Sequence, residues 1–225
     1  MRALVLKPHA YSYPGLIGEA ASERGIELIE HVASEDERIP ELDGFDLLVC
    51  MGAPWSVYGE EVAPWIGTAL ERFRDAVERD IPVLGICFGA QSFAEALGGE
   101  ARRALATEVG WRQVETDDAA VVPPGPWFMW HSDTFTLPPG ARELARTPVG
   151  PQAFSLGPHL CVQFHPEITP EILGAWIEHD DEDFRRNGVD PESVIEQTRV
   201  ELGRARERAR ELLNRVLVAA EASSP

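Results

Sequence analysis

Val83-Leu84-Gly85-Ile86-Cys87-Phe88-Gly89-Ala90-Gln91 is the stretch that decides the fold. An apolar run from Pro82 to Ile86 ends in a cysteine with a glycine two residues to either side, and Ser92 to Leu97 opens a helical pattern. The order is strand, sharp turn, helix, with a nucleophile-capable side chain at the turn. The mechanics are those of the Gly-x-Ser-x-Gly elbow: the nucleophile takes a strained backbone conformation, and the glycines remove side chains that would collide there. Such a residue stands at the carboxyl end of a strand, where open α/β sheets gather their ligands. It also stands at a helix N-terminus, whose partial positive charge favours thiolate. From this stretch alone, a small buried structural cysteine reads equally well.

On the N-terminal side, Arg2 to Lys7 reads as a buried first strand and His9 to Gly15 as a turn-rich loop. Leu16 to Arg24 is a helix closed by Gly25. Ile26 to Val32 alternates like a second strand. Phe45 to Met51 is a third, with the near-continuous apolar run expected of a strand covered on both faces. Gly52 to Gly59 is a loop. Ala63 to Asp80 is helical, with Trp65, Ile66, Ala69, Leu70, Phe73 and Val77 on one side. The first hundred residues therefore predict β-α-β-β-α-β-α, an α/β fold whose doubly wound, mostly parallel sheet carries helices on both faces.

Beyond residue 100 the texture changes to a small antiparallel β portion. Val109 to Thr116, Trp127 to Trp130, Gln152 to Ser155 and Leu160 to Phe164 are short strands between Pro/Gly turns. Thr169 to His179 is a helix, and Asp180 to Arg186 a charged, exposed connection. Pro191 to Ala220 is a long helix with proline in its first turn. It is expected to pack on its own domain, a homodimer contact being the alternative. The expected division is a domain over residues 1–185 and a C-terminal helical extension over 186–225, with the last few residues disordered.

The 225 residues hold 20 Lys and Arg against 38 Asp and Glu, a formal net charge of −18. That balance argues against a nucleic-acid partner, whose phosphates are met by Lys and Arg, and against an anionic membrane surface. Cys50, Cys87 and Cys161 are odd in number and match no disulfide or zinc spacing, so neither a metal nor a cofactor is expected. Ala3 to Leu6 is too short for a secretory leader, and no apolar run approaches a membrane span. The expected compartment is the reducing cytoplasm.

The second informative stretch is Cys161-Val162-Gln163-Phe164-His165-Pro166-Glu167. An apolar strand delivers a histidine and, two residues on, a glutamate on the same side of an extended chain. A carboxylate there can fix the imidazole tautomer so that the other ring nitrogen serves as a base. Alone, His-Pro-Glu reads equally as a strand-end histidine beside a surface glutamate. With Cys87 it completes a set of nucleophile, base and orienter.

Gly85-Ile86-Cys87-Phe88-Gly89-Ala90-Gln91 together with Gln163-Phe164-His165-Pro166-Glu167 resembles the class I (triad) glutamine amidotransferases. Met51-Gly52-Ala53-Pro54-Trp55-Ser56-Val57-Tyr58 resembles that family's Gly-Gly-Pro-x-Ser-Val loop. Glu108-Val109-Gly110-Trp111 and Trp130-His131-Ser132-Asp133 resemble stretches of the GMP-synthetase-like branch. The resemblance implies a flavodoxin-like sheet and a glutamine amide hydrolase. It implies that Cys87 attacks the amide of L-glutamine, His165 moves the proton and Glu167 orients His165. It implies backbone oxyanion donors at Phe88 and in the Gly52-Ala53 loop, and a head-group pocket formed by Gln91 and the Trp130-His131-Ser132 loop.

The chain departs from the family pattern in Met-Gly-Ala where Gly-Gly is usual and in Ser132 where glycine is usual. His131 and Asp133 admit a second-catalyst reading beside a structural or substrate-positioning one. Cys50 and Cys161 are expected in the core. No ATP-pyrophosphatase motif comes after the long helix, so an acceptor-activating synthetase partner is expected. Two other readings compete: a γ-glutamyl hydrolase acting on a γ-glutamyl compound, and an inactive regulatory protein on the same scaffold.

Overall fold

Short apolar strands form the centre of the molecule, and their alternation sets its layers. The computed structural model describes residues 1–179 and 182–223; residues 224 and 225, in the tail expected to be disordered, lie outside it. The first half of the chain runs β1 (Arg2–Lys7), α1 (Gly15–Glu23), β2 (Glu27–Val32), β3 (Leu47–Cys50), α2 (Ile66–Glu78), β4 (Val83–Ile86) and α3 (Phe88–Ala96). The second half runs β5 (Glu100–Gln113), β6 (Glu115–Thr116), β7 (Pro126–Thr136), β8 (Arg142–Thr147), β9 (Gly150–Leu156), β10 (His159–Val162), α4 (Pro170–His179), α5 (Glu182–Arg186) and α6 (Pro191–Ser223).

The main sheet has the order β2-β1-β3-β4-β10-β9-β8-β6. Its first five strands are parallel, and β9, β8 and β6 continue it antiparallel. Side chains of the parallel strands divide by turns between two cores. Ala3, Val5, Leu47, Val49, Leu84 and Ile86 face the layer that contains α1 and α6. Leu4, Leu6, Leu48, Cys50, Val83 and Cys161 face the layer of α2 and α3. This is the doubly wound arrangement that near-continuous apolar strands require. Cys50 and Cys161 are core residues as expected, and burial raises both thiol pKa values.

The antiparallel part is larger than the sequence pattern suggests. β5 and β7 form a separate two-stranded ribbon, with the register broken between Arg103 and Glu108. β7 extends the expected Trp127–Trp130 strand through Thr136, so Trp130-His131-Ser132 lies in a strand and not in a loop. β8 had no clear signal, because Arg142, Glu143 and Arg146 interrupt its apolar residues and form ion pairs on its polar side. β10 ends at Val162, before Phe164. Residues 180 and 181 lie outside the described residues. In the rest of that segment Glu182, Arg185 and Arg186 are exposed as expected, but residues 182–186 form a short helix, α5, anchored by the fully buried Phe184.

The long helix α6 packs on its own chain. Ala209, Leu212, Leu213 and Val216 enter the same core as Ala3 and Leu84. On its flank, Arg206 Nε lies 2.8 Å from Glu19 and Arg210 Nε 2.6 Å from Glu23 of α1. Among the described residues no helix is long and apolar enough to cross a membrane.

Two glycines make the packing testable. A Cβ at Gly89 would lie 2.3 Å from the Cys50 carbonyl oxygen, a backbone atom that cannot step aside, whereas one at Gly203, on the exposed side of α6, would meet nothing within 4 Å. Gly89→Ala is expected to destabilise the fold by about 3 kcal/mol or more. Gly203→Ala is expected to stabilise it by roughly 0.5–1 kcal/mol, since alanine restricts the unfolded chain and favours helix. Urea midpoints of the two variants check both signs.

Candidate active site

Three chain segments converge at the carboxyl ends of the parallel strands: the loop after β1, the loop after β3 and the β4–α3 turn. Cys87 adopts φ 50° and ψ −105°, one of two non-glycine residues with positive φ among the described residues. Its N–H donates to the Val162 carbonyl of β10 at 2.8 Å, which fixes the turn against the neighbouring strand. The turn closes only because Gly85 and Gly89 touch: a Cβ on Gly85 would lie 3.0 Å from the Gly89 carbonyl group. α3 begins at Phe88, so the Phe88 N–H is among the first-turn donors that have no partner within the helix.

His165 reaches this turn from the end of β10. Its backbone N–H donates to the Phe128 carbonyl of β7 at 2.8 Å, and its ring packs edge-on against Trp176 at 5.1 Å. Nδ1 lies 2.8 Å from Glu167 Oε1. The two side chains meet as expected, but across the turn at Pro166 and not by alternation in a strand. Both are buried, His165 at 4% and Glu167 at 0% exposure. Burial works to lower the imidazole pKa. The Glu167 carboxylate first, and Cys87 after it, outweigh that effect and hold the ring well above its usual range.

Gly52 faces the pair: a Cβ there would lie 2.9 Å from His165 Cε1 and 3.5 Å from Cys87 Cβ. Ser12, from the loop after β1, donates its hydroxyl to the Gly52 carbonyl at 2.7 Å and so fixes the loop that carries Ala53. Alanine in place of the usual glycine causes no backbone conflict, because Ala53 is not among the positive-φ residues.

The expected head-group residues line one cavity of about 320 Å³ with Cys87 and His165, but several are already engaged. Gln91 Nε2 donates to the Asp133 carbonyl at 3.3 Å and to Gln163 Oε1 at 3.1 Å, leaving its own carbonyl oxygen for a ligand. Gln163 Nε2 in turn lies 3.4 Å from Cys87 Sγ. The Trp130 carbonyl oxygen lies 3.4 Å from His165 Nε2, and the Trp130 indole donates to Asp183 of α5 at 3.1 Å. Ser132 sits opposite the register break, so its backbone is outside the ladder, and its hydroxyl pairs with Thr107 at 2.8 Å. Bulges next to functional clefts serve to re-aim a strand in this way.

His131 and Asp133 are held by protein contacts. His131 Nδ1 lies 2.9 Å from the Asp133 carbonyl, and Nε2 lies 3.3 Å from Glu108 Oε2. Asp133 accepts from Ser56 Oγ at 2.5 Å and Tyr58 OH at 3.0 Å. Among the described residues no hydrogen bond joins either side chain to Cys87 or His165. Sequence reasoning gave Gln163 no role of its own, although it opens the Gln163-Phe164-His165-Pro166-Glu167 stretch. Ser12, Trp176 and Asp183 carried no local signal. Among the described residues no cluster of three or more His, Cys, Asp or Glu is arranged to hold a metal ion.

Residues 10–180 match the family model for class-I glutamine amidotransferases. The chain is 32% identical over 182 residues to the glutamine-hydrolyzing GMP synthase of Aeropyrum pernix, covering 73% of this chain and 34% of that protein. It is 34% identical over 155 residues to one subunit of the glutamine-hydrolyzing GMP synthase of Saccharolobus solfataricus, covering 62% of this chain and 80% of that subunit. A crystal structure of a glutamine amidotransferase from Thermotoga maritima superposes with a TM-score of 0.89 at 26% identity, covering 96% of this chain and 98% of that one. The chain spans about a third or less of the length of the first curated relatives it matches.

The raised His165 pKa has a stability consequence. An unfolded histidine titrates near 6.5, so protonated His165 contributes in full below about pH 6.5, and that contribution is lost as pH rises through the higher folded-state value. Glu167→Gln removes the leading cause of the rise. NMR of the ring is expected to show titration at lower pH in the variant, and its melting temperature should fall less than the wild type's as pH is raised from about 7 to about 9.

Proposed function

The chain belongs to the class I glutamine amidotransferases, and from that premise we propose that it hydrolyses the side-chain amide of L-glutamine through a γ-glutamyl thioester on Cys87. The observation that carries the reading is the convergence of Cys87, His165 and the Gly52-Ala53 loop on one cavity, with Glu167 buried behind His165 and held to its Nδ1.

In this mechanism the Cys87 proton is held on His165 Nε2, in keeping with the raised imidazole pKa, and the thiolate sulfur adds to the amide carbon. The ring now carries two N–H groups, one held by Glu167 Oε1 and the other free to approach the Trp130 carbonyl. Glu167 therefore both orients the base and offsets its new charge. Negative charge develops on the amide oxygen, and the N–H groups of Phe88 and Ala53 are the donors we assign to it, beside a glycine whose missing side chain leaves the approach open. His165 returns its proton to the nitrogen, the C–N bond breaks and ammonia leaves. A water, deprotonated by His165, then releases glutamate and restores the thiol. Gln91, Trp130, His131 and Ser132 are the residues we assign to the amino-acid head group.

The Saccharolobus relative is named as one subunit of a glutamine-hydrolyzing synthase. By that likeness the ammonia is for a separate, acceptor-activating enzyme. Ammonia release from glutamine by the purified chain, with hydroxylamine present to trap the acyl group as its hydroxamate, tests the mechanism. Cys87→Ala is expected to lose both products by about a thousandfold or more. Turnover unchanged in that variant would refute the thioester.

A further inference from the structure

We propose that the same site has a second substrate class, γ-glutamyl amides of small cationic amines, bound through a ring-lined chamber beyond His165. The inference rests on the thioester mechanism above. Its starting point is direction. The nitrogen that leaves must face His165 to be protonated, so whatever that nitrogen carries is directed past His165 and away from Cys87. Ammonia carries nothing and needs no wall there.

The cavity nevertheless continues on that side. Trp176 stands edge-on to His165 at 5.1 Å, and its indole N–H donates to the Tyr11 carbonyl at 2.8 Å. Tyr11 contacts the His179 ring at 5.1 Å, His179 contacts His9 at 5.7 Å, and His9 meets Trp55 edge-on at 5.1 Å. All five line the cavity that contains Cys87. They come from the loop after β1, the loop after β3 and α4, so the wall is assembled from three separate segments. At about 320 Å³ the cavity lies within the range of pockets that enclose organic ligands, roughly 300–1,000 Å³.

The chemistry of the wall selects the sign of the charge. Aromatic faces attract cations. Burial, and then the neighbouring His179, hold His9 below its usual imidazole range, so it enters as a neutral ring. The mouth adds the carboxylates of Glu182 and Asp183 against the guanidinium of Arg186, which is paired to Glu182. Arg103, also at the cavity, lies 3.6 Å from the Asp133 carboxylate, which offsets its charge. Asp183 holds the Trp130 indole, so its position is fixed. The reaction balances without a further reactant. The amide C–N bond breaks, the amine nitrogen takes the His165 proton, the amine leaves, and water hydrolyses the thioester to glutamate.

The test is glutamate release by the purified chain from glutamine and from the γ-glutamyl amides of 1,4-diaminobutane, ethylamine and glycine. The diaminobutane amide is expected to reach at least a tenth of the kcat/KM of glutamine and to exceed the glycine amide at least tenfold, with the ethylamine amide between them. Tyr11→Ala, which keeps the carbonyl that holds Trp176, is expected to lower the ratio of diaminobutane amide to glutamine at least fivefold. Glutamine turnover with the diaminobutane amide refused, or no preference for it over the glycine amide, overturns the chamber and leaves the thioester mechanism standing. A ratio unmoved in Tyr11→Ala overturns the assignment of the wall. Release from none of the four overturns both.

Discussion

The site depends on one strained residue. At φ 50° and ψ −105° the Cys87 backbone is in a region that costs of order 1–3 kcal/mol for a side chain with a Cβ. That conformation lifts the sulfur out of the β4–α3 turn into the cavity and leaves the Phe88 N–H at the head of a helix. The surroundings over-determine it. The Val162 carbonyl holds the Cys87 N–H, and Gly85 and Gly89 close the turn on one side while Gly89 lies against the Cys50 carbonyl on the other. β3, β4 and β10 therefore share the strain of one side chain, and each also carries another part of the site: β3 leads into Gly52, β10 into His165.

A chain of buried amides ties this turn to the ribbon. From the Asp133 carbonyl, Gln91 and Gln163 pass hydrogen bonds to the Cys87 sulfur. Asp133 in turn anchors Ser56 and Tyr58 of the loop that begins at Gly52. A change at the ribbon thus reaches both the nucleophile and the loop opposite it through a continuous run of hydrogen bonds.

The parallel half of the fold was legible because two-sided burial leaves a strong mark. Runs such as Ala3-Leu4-Val5-Leu6 admit few other readings, and the two flanking glycines of Cys87 advertise a backbone demand that is local. What escaped was non-local. The length of β7 is set by pairing with β5, and the break at Arg103 to Glu108 leaves Ser132 unpaired by an accident of register that no window of residues reveals. α5 is five residues, too short for a period, and is held by Phe184 against Trp130 at 4.6 Å, a contact made possible by distant segments. Ser12 and Trp176 reach the site for the same reason. Motif and strand alternation convey chemistry, while the walls around it depend on tertiary packing.

α6 covers the same face of the sheet as α1, and its ion pairs with Glu19 and Glu23 join residues 187 positions apart. During synthesis on a ribosome, β1, β3 and β4 emerge long before Leu212, Leu213 and Val216 exist to cover them. Until those residues emerge, one apolar side of the nascent sheet is covered only in part, by α1, the condition in which collapsed chains associate with one another. α6 acts as a late-arriving seal on that face, and cellular yield of this protein should depend on chaperone supply more steeply than its finished stability suggests.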